Sequence, residues 1–467
     1  MNTILQQDLN EIENILEKVK QQGIHFLESI DTIPTSNNNT ITTNRDLSNS
    51  GLGALPTLEE FNRRLAPLMV SQTGGRYWGF VTGGSTPASI VGDWLTTIYD
   101  QNAQATNAQG GVSALIEIET INLLLQLLSL PKIFLGGFVT GATMSNFTCL
   151  AVARQWFGKQ LGEDFAKNGI SQPIQVLSAM PHSSSVKCLA MLGIGSQNFT
   201  KIETIEGNRE AIDIADLERN IKKINGRPFI LISSAGTVNT ADFDDFTAIT
   251  KLKRKYNFWW HIDAAFGGFA ACSPKYKHLV NGWDNSDSIT VDCHKWLNVP
   301  YESAFYLVKE EHRNLQIETF QNSNAPYLGN PLENFNYLNF LPENSRRLKA
   351  LPVWFSLLAY GKHGYQDIVE NSVVMALQFD DFICKNENFE LLAPTRLNNV
   401  CFTLAGDHNQ EKVNSFLTKL NDRGKVFMTP TVYQNRKGIR ASFVNWRTNE
   451  NDIQIVIAEM KESLLLI

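Results

Sequence analysis

The sequence predicts an α/β protein, a mostly parallel sheet covered by helices on both faces, followed by a smaller α+β unit. Three observations carry this. Strand-length apolar runs recur from about residue 130 without the alternation of a half-exposed sheet, and helix-length segments separate several of them. The chain has 467 residues, 43% hydrophobic and 19% charged, enough for a large core and unlike a disordered, collagen-like or coiled-coil chain. Past residue 390 the units become shorter and mixed.

Taken in order, Leu5, Leu9, Ile12, Leu16 and Val19 fall at helical spacing and predict one helix ending near Gly23. Its opposite face mixes acids, amides and few lysines, which suits packing on this chain or on a partner subunit better than lying on a membrane. Residues 34–53, rich in Asn, Thr, Ser and Gly, read as a solvated connection. A helix from about Gly110 to Leu130 stops before Pro131. The run IFLGGFVTGA follows as a strand, then the helical pattern MSNFTCLAVARQWFGKQLG. IQVLSAM, FILISSAG, FWWHIDAAFGG, SITVDCH and SAFYLVK are further strands. A helix begins near Ser345, and NVCFTLAG, KVFMTPTVY and GIRASFVNW are strands of the last unit. This divides the chain into a helical and linker segment at 1–75, a large α/β domain at 76–360 and a small α+β domain at 361–467.

Charge and cysteines narrow the function. Lys and Arg number 41 against 47 Asp and Glu, a net charge of −6, so there is no chain-wide basic footprint for nucleic acid. No run reaches the roughly 18 apolar residues of a spanning helix, and the first twenty residues lack the basic start and apolar stretch of a leader. The six cysteines are scattered without CxxC or Cys/His metal spacing. A soluble cytoplasmic protein with reduced thiols, no membrane partner and no metal site is expected.

Ligands of a parallel sheet gather at the carboxyl ends of its strands. Five such places carry polar residues. Thr140 to Thr143, small residues between a strand and a long helix, let backbone N–H groups and the helix dipole approach an anion, though a tight turn has the same composition. His182 follows a strand, where it can cap a helix or face a ligand. Thr237 ends FILISSAG, as a turn hydroxyl or a ligand contact. Asp263 ends a very apolar run and must find a cation or strong donors, either a core arginine or a ligand. Lys295, beside His294, ends another apolar strand, and desolvation there favours a neutral amine able to form a Schiff base. A carboxylate, a later strand-end lysine, a helix-start anion site and a flat histidine together suit pyridoxal phosphate.

The motifs HIDAAFGG, DCHKWLNVPYESA and SRRLKALPVW make the chain resemble the group II pyridoxal-phosphate-dependent amino-acid decarboxylases, the aromatic-amino-acid and glutamate decarboxylase family with the fold type I architecture. The resemblance runs from Arg76 to the NWRTNENDI segment, most of the chain. It implies that Lys295 carries the cofactor aldehyde, Asp263 pairs with the pyridine nitrogen, Ala265 lines one ring face and His182 stacks on the other. It implies phosphate-side positions for Ala142, Thr143, Asp292 and His294, a polar contact for Thr237 and a substrate-side position for Thr82. Tyr327 matches the loop tyrosine that returns a proton to the substrate carbon, a role that falls to His182 if the loop is open. It also implies a homodimer with the active site at the interface, whose N-terminal helices embrace the neighbouring subunit.

Three features depart from the family pattern. Ala142-Thr143-Met144-Ser145-Asn146 lacks the acidic residue of the familiar GSEAN turn, and Cys293 stands where proline is familiar. Residues 100–110 are small and polar where aromatic-specific relatives carry bulk. The reaction expected is α-decarboxylation of an L-amino acid. The alternatives are an aminotransferase or aldehyde-lyase on the same scaffold and, more remotely, a non-catalytic cofactor-binding protein. Arg440 and Arg447 are expected to pair on the surface or between domains rather than to face a carboxylate.

Overall fold

The computed structural model describes residues 2–41, 45–106, 111–321, 335–406 and 410–467. The N-terminal stripe does not form one helix. It is split into α1 (Thr3–Asn10) and α2 (Ile12–Glu28), because Glu11 leaves helical geometry at φ −100°, ψ 11°. Gly23 does not end α2; a glycine costs a helix only about 1 kcal/mol against alanine, and Phe26 and Leu27 beyond it are half-buried. α3 (Ala54–Arg64) and α4 (Pro87–Tyr99) follow, the second opened by Pro87 behind a Thr86 cap. α5 (Ser113–Leu127) is shorter than expected at both ends.

The strand expectations hold closely. β1 (Phe134–Val139) leads into α6 (Ala142–Gln160) and the short α7 (Phe165–Asn168). β2 (Val176–Ser178), α8 (Ser183–Met191) and a two-residue edge strand β3 (Thr200–Lys201) come next. α9 (Ile214–Ile224) buries Leu217, Ile221 and Ile224 and is capped by Asp213, whose carboxylate accepts from the N–H groups of Ala215 and Asp216. Then come β4 (Ile230–Ser234), α10 (Phe246–Lys255), β5 (Trp259–Asp263), β6 (Ser288–Asp292), β7 (Ala304–Lys309) and α11 (Arg313–Phe320). Every residue of β4, β5 and β6 is buried, which explains their unbroken apolar character.

These strands form one sheet in the order β1-β7-β6-β5-β4-β2-β3. The pairings from β6 through β3 are parallel, while β7 runs antiparallel to both its neighbours. The sheet is thus mostly parallel, and the carboxyl ends of β2, β4, β5 and β6 open on one side.

The helix expected from Ser345 begins at Ala350 instead, as α12 (Ala350–Lys385). Residues 345–348 stay out of the helix because both arginines are committed to partners. Arg346 reaches Glu117 at 2.5 Å and the carbonyls of Ala103 and Phe138, and Arg347 reaches Asp93 at 2.7 Å. α12 bends at Gly361 (φ 58°, ψ −166°), a backbone region essentially confined to glycine. β8 (Phe389–Leu391), not anticipated, joins β9 (Asn399–Leu404), α13 (Gln410–Asp422), β10 (Thr429–Tyr433), β11 (Arg436–Ser442) and α14 (Glu450–Leu464). The second sheet is antiparallel, β10-β11-β9-β8, over a core that includes Phe379, Phe402, Phe416 and Phe443. Trp78 joins that core and Arg76 pairs with Asp452 at 2.8 Å, so residues 76–78 run beside the small sheet before the chain turns toward the large one. No helix among the described residues is long and apolar enough to cross a membrane.

Candidate active site

A cavity of about 550 Å³ lies at the carboxyl ends of the parallel strands, walled by residues that include Thr82, His182, Thr237, Asp263, Ala265, His294 and Lys295. Seven of the residues singled out from the sequence therefore meet around one space.

The turn after β6 presents Lys295. Asn298, at φ 53°, folds the chain back, donating to the carbonyls of Trp296 and Val444 and accepting from the N–H groups of Gly84 and Trp446. Gly83 donates to the His294 carbonyl at 2.9 Å, and a Cβ there would stand 2.0 Å from the Lys295 carbonyl oxygen. Only glycine permits that approach. The Lys295 ammonium lies 5.5 Å from the centroid of the Phe266 ring.

Asp263 ends β5, 7% exposed. Its Oδ1 accepts from the Ala265 N–H (3.2 Å), and its Oδ2 from Asn146 Nδ2 (3.0 Å) and Ser185 Oγ (3.3 Å). All three donors are neutral, and no Lys, Arg or His among the described residues lies in ion-pair contact with it. A carboxylate so placed leaves room for a cation supplied from the cavity.

His182 fulfils both readings open to it. It caps α8, its Nδ1 accepting from the Ser184 N–H at 3.2 Å, and its ring borders the cavity. Enclosure by the cavity walls pushes its pKa below the ordinary 6.5, the nearby Lys295 and Arg440 acting in the same direction and Asp263 opposing them.

Ala142 and Thr143 open α6 as expected. Gly141, at the N-cap, offers no side chain to that terminus, and a Cβ there would meet nothing within 4 Å. Asp292 stands beside it, its Oδ2 accepting from the Ala142 N–H at 3.3 Å and its Oδ1 2.8 Å from His294 Nδ1. Thr82 accepts from the Tyr301 hydroxyl at 3.3 Å, and the Tyr301 ring packs on that of His294 at 4.6 Å. Tyr327 and residues 107–110 lie outside the described residues.

The chain matches the model of the pyridoxal-dependent decarboxylase conserved domain over residues 42–405. It belongs to that family. It is 28% identical to the aromatic-L-amino-acid decarboxylase of Bacillus atrophaeus over 82% of this chain and 80% of that protein. It is 25% identical to the phenylacetaldehyde synthase of Petunia hybrida over 82% and 79%. The solved structure of Oryza sativa TDC with PLP and tryptamine superposes with a TM-score of 0.89 at 20% identity, covering 98% of each chain, a likeness of fold. The protein is thus a pyridoxal-phosphate-dependent amino-acid decarboxylase of fold type I.

The decarboxylase's own residues fit that cofactor. The start of α6, with open space beside the N-cap Gly141, suits a phosphate, and Asp263, with no ion-pair partner among the described residues, suits a protonated ring nitrogen. The reading from sequence missed several walls of the site. Arg440 makes the expected interdomain contacts, donating to the carbonyls of Val238 and Phe80 at 3.1 Å each, and it also lines the cavity at 8% exposure, which was not expected. Its Nε has no partner among the described residues, and burial holds its pKa below the ordinary arginine value. Arg447 instead stacks on Trp446 at 4.6 Å. Glu210, from an irregular loop with no periodic signal, accepts from the Thr237 hydroxyl (2.5 Å) and the Thr240 hydroxyl (2.7 Å), so Thr237 is held by a buried acid. Asn146 and Ser185 sit one turn beyond Ala142 and His182, a helical spacing that the sequence does display.

Proposed function

We propose that Lys295 and Asp263 hold the cofactor, that His182 and Ala265 confine its ring, and that Arg440 receives the α-carboxylate of the amino-acid substrate. Pyridoxal phosphate supplies the aldehyde that takes the substrate amine and the ring that accepts the electron pair left when carbon dioxide departs. Asp263 carries the reading: it is a buried carboxylate, open to the cavity, with neutral donors only.

The protein's share of the chemistry follows from this placement. Arg440 sets the direction of the carboxylate and thereby which bond to Cα lies across the ring plane. The apolar walls of Phe80, Val81 and Phe266 exclude water and disfavour the charged ground state. Ala142, Thr143, Asp292 and His294 border the phosphate position, Thr237 the ring edge, and Thr82 the substrate side. Tyr327, by its place in the family pattern, delivers the proton to Cα.

The same reading makes the protein a cytoplasmic homodimer that takes neither nucleic acid nor a membrane as partner, with segments 1–75, 76–360 and 361–467 as its units. The apolar residues Leu5, Leu9, Ile12, Leu16 and Val19, each 43% to 63% exposed, support a covering subunit, and the six free thiols suit a reducing compartment. Reconstitution of Lys295→Ala with pyridoxal phosphate tests the core of the assignment. The variant should lose both turnover and the absorption band of lysine-bound cofactor, and a variant keeping that band with full turnover would remove Lys295 from the mechanism.

A further inference from the structure

Behind Asp263 runs a buried chain of hydrogen bonds whose donors and acceptors can be assigned from chemistry alone. Asn146 is fully buried, and its Nδ2 lies 3.0 Å from Asp263 Oδ2 and 3.2 Å from Ser184 Oγ. Only the amide nitrogen can face a carboxylate, since the amide oxygen would set acceptor against acceptor. Both its hydrogens are thereby used, and the Asn146 oxygen must accept. The group it faces is His261 Nε2, at 2.8 Å, so the proton of His261 resides on Nε2. His261 Nδ1 is left as an acceptor and takes the hydroxyl proton of Ser288 at 2.9 Å, while Ser288 Oγ accepts from Trp259 Nε1 at 2.9 Å.

The other arm of the amide fixes a second histidine. Ser184 Oγ, having accepted from Asn146, lies 2.7 Å from His182 Nδ1, which already accepts from the Ser184 N–H. The Ser184 hydroxyl therefore donates to Nδ1, and His182 bears its proton on Nε2, the other ring nitrogen. Burial pushes the pKa of His261 down to about 4, consistent with a neutral ring throughout.

We propose that Asn146, locked by His261 and Ser288, is a positioning residue that sets two cofactor-facing groups at once: the orientation of the Asp263 carboxylate and the tautomer of His182. The proposal rests on the assignment of Asp263 and His182 to the cofactor. It adds that their geometry is coupled through one amide, whose rotation is forbidden from both sides.

Three variants, loaded with pyridoxal phosphate, test it by cofactor half-saturation and by the absorption and circular dichroism of the bound cofactor, each alongside the far-UV spectrum of the cofactor-free protein. Asn146→Ala, which loses a hydrogen bond to a charged group, should raise the half-saturation concentration by about tenfold or more and alter the bound-cofactor spectrum. His261→Leu, which leaves the Asn146 oxygen without a donor, should move both readouts in the same direction. His261→Gln, whose amide supplies an N–H near the former Nε2, should restore both toward wild type. Unchanged affinity and spectrum in a folded Asn146→Ala variant would overturn the proposal, as would equal impairment in the Leu and Gln variants of His261. Failure of the wild-type protein to bind the cofactor would instead overturn the assignment beneath it.

Discussion

At the scale of single residues, the site is a set of strand-end side chains whose states are set by enclosure and by neutral donors. His261 shows how a buried ring couples to pH. Its pKa is about 4 in the fold against 6.5 ordinarily, so between those values the unfolded chain binds a proton that the native protein does not. Stability from this residue is therefore present above about pH 6.5 and falls as the pH drops toward 4, by on the order of 3 kcal/mol in all. Denaturant unfolding at pH 7 and pH 4.5 should show a smaller acid loss in His261→Gln than in wild type, and equal losses would contradict it. Lys295, Asp263, His182, Thr237 and the 140–143 turn were legible because each follows an apolar run in the order a parallel sheet requires. Glu210 was not, and Arg440 was read only as a pairing residue. Glu210 lies in an irregular segment, Arg440 belongs to a strand of the other sheet, and each matters to the site only because tertiary folding brings it to the cavity.

At the scale of elements, the central strands β4, β5 and β6 were readable because complete burial makes them apolar throughout, whereas the ends and breaks of helices depended on partners remote in sequence. Ser345 to Lys349 carry a helical pattern, yet Arg346 is drawn into a contact with Glu117. The two are 1% and 0% exposed, and Glu117 also accepts from the Phe138 N–H, so the pair ties α5, β1 and the approach to α12 together. Arg346→Leu strands a buried carboxylate and should cost about 3–5 kcal/mol of unfolding free energy. A loss under about 1 kcal/mol would mean that Glu117 is stabilised by other groups. The break at Glu11 had no proline or glycine to announce it, and the antiparallel direction of β7 is invisible to a pattern that reports burial alone.

At the scale of the whole molecule, two sheets meet around one cavity, to which the large sheet brings Asp263 and Lys295 and the small sheet brings Arg440. The stripe along α1 and α2 is apolar and open. A second subunit covering it predicts that sedimentation of wild type gives a dimer and that Leu9→Glu with Leu16→Glu shifts it toward monomer. An active wild-type monomer would contradict that arrangement. The central claim, that these residues direct the loss of the α-carboxylate, is tested most directly by products. The protein loaded with pyridoxal phosphate should be incubated with acidic, aromatic, basic and diamino acids, and amines, aldehydes and keto acids measured together by mass spectrometry. An amine lighter than its substrate by one carbon dioxide is the expected result and names the substrate class. A keto acid or an aldehyde without amine would contradict it.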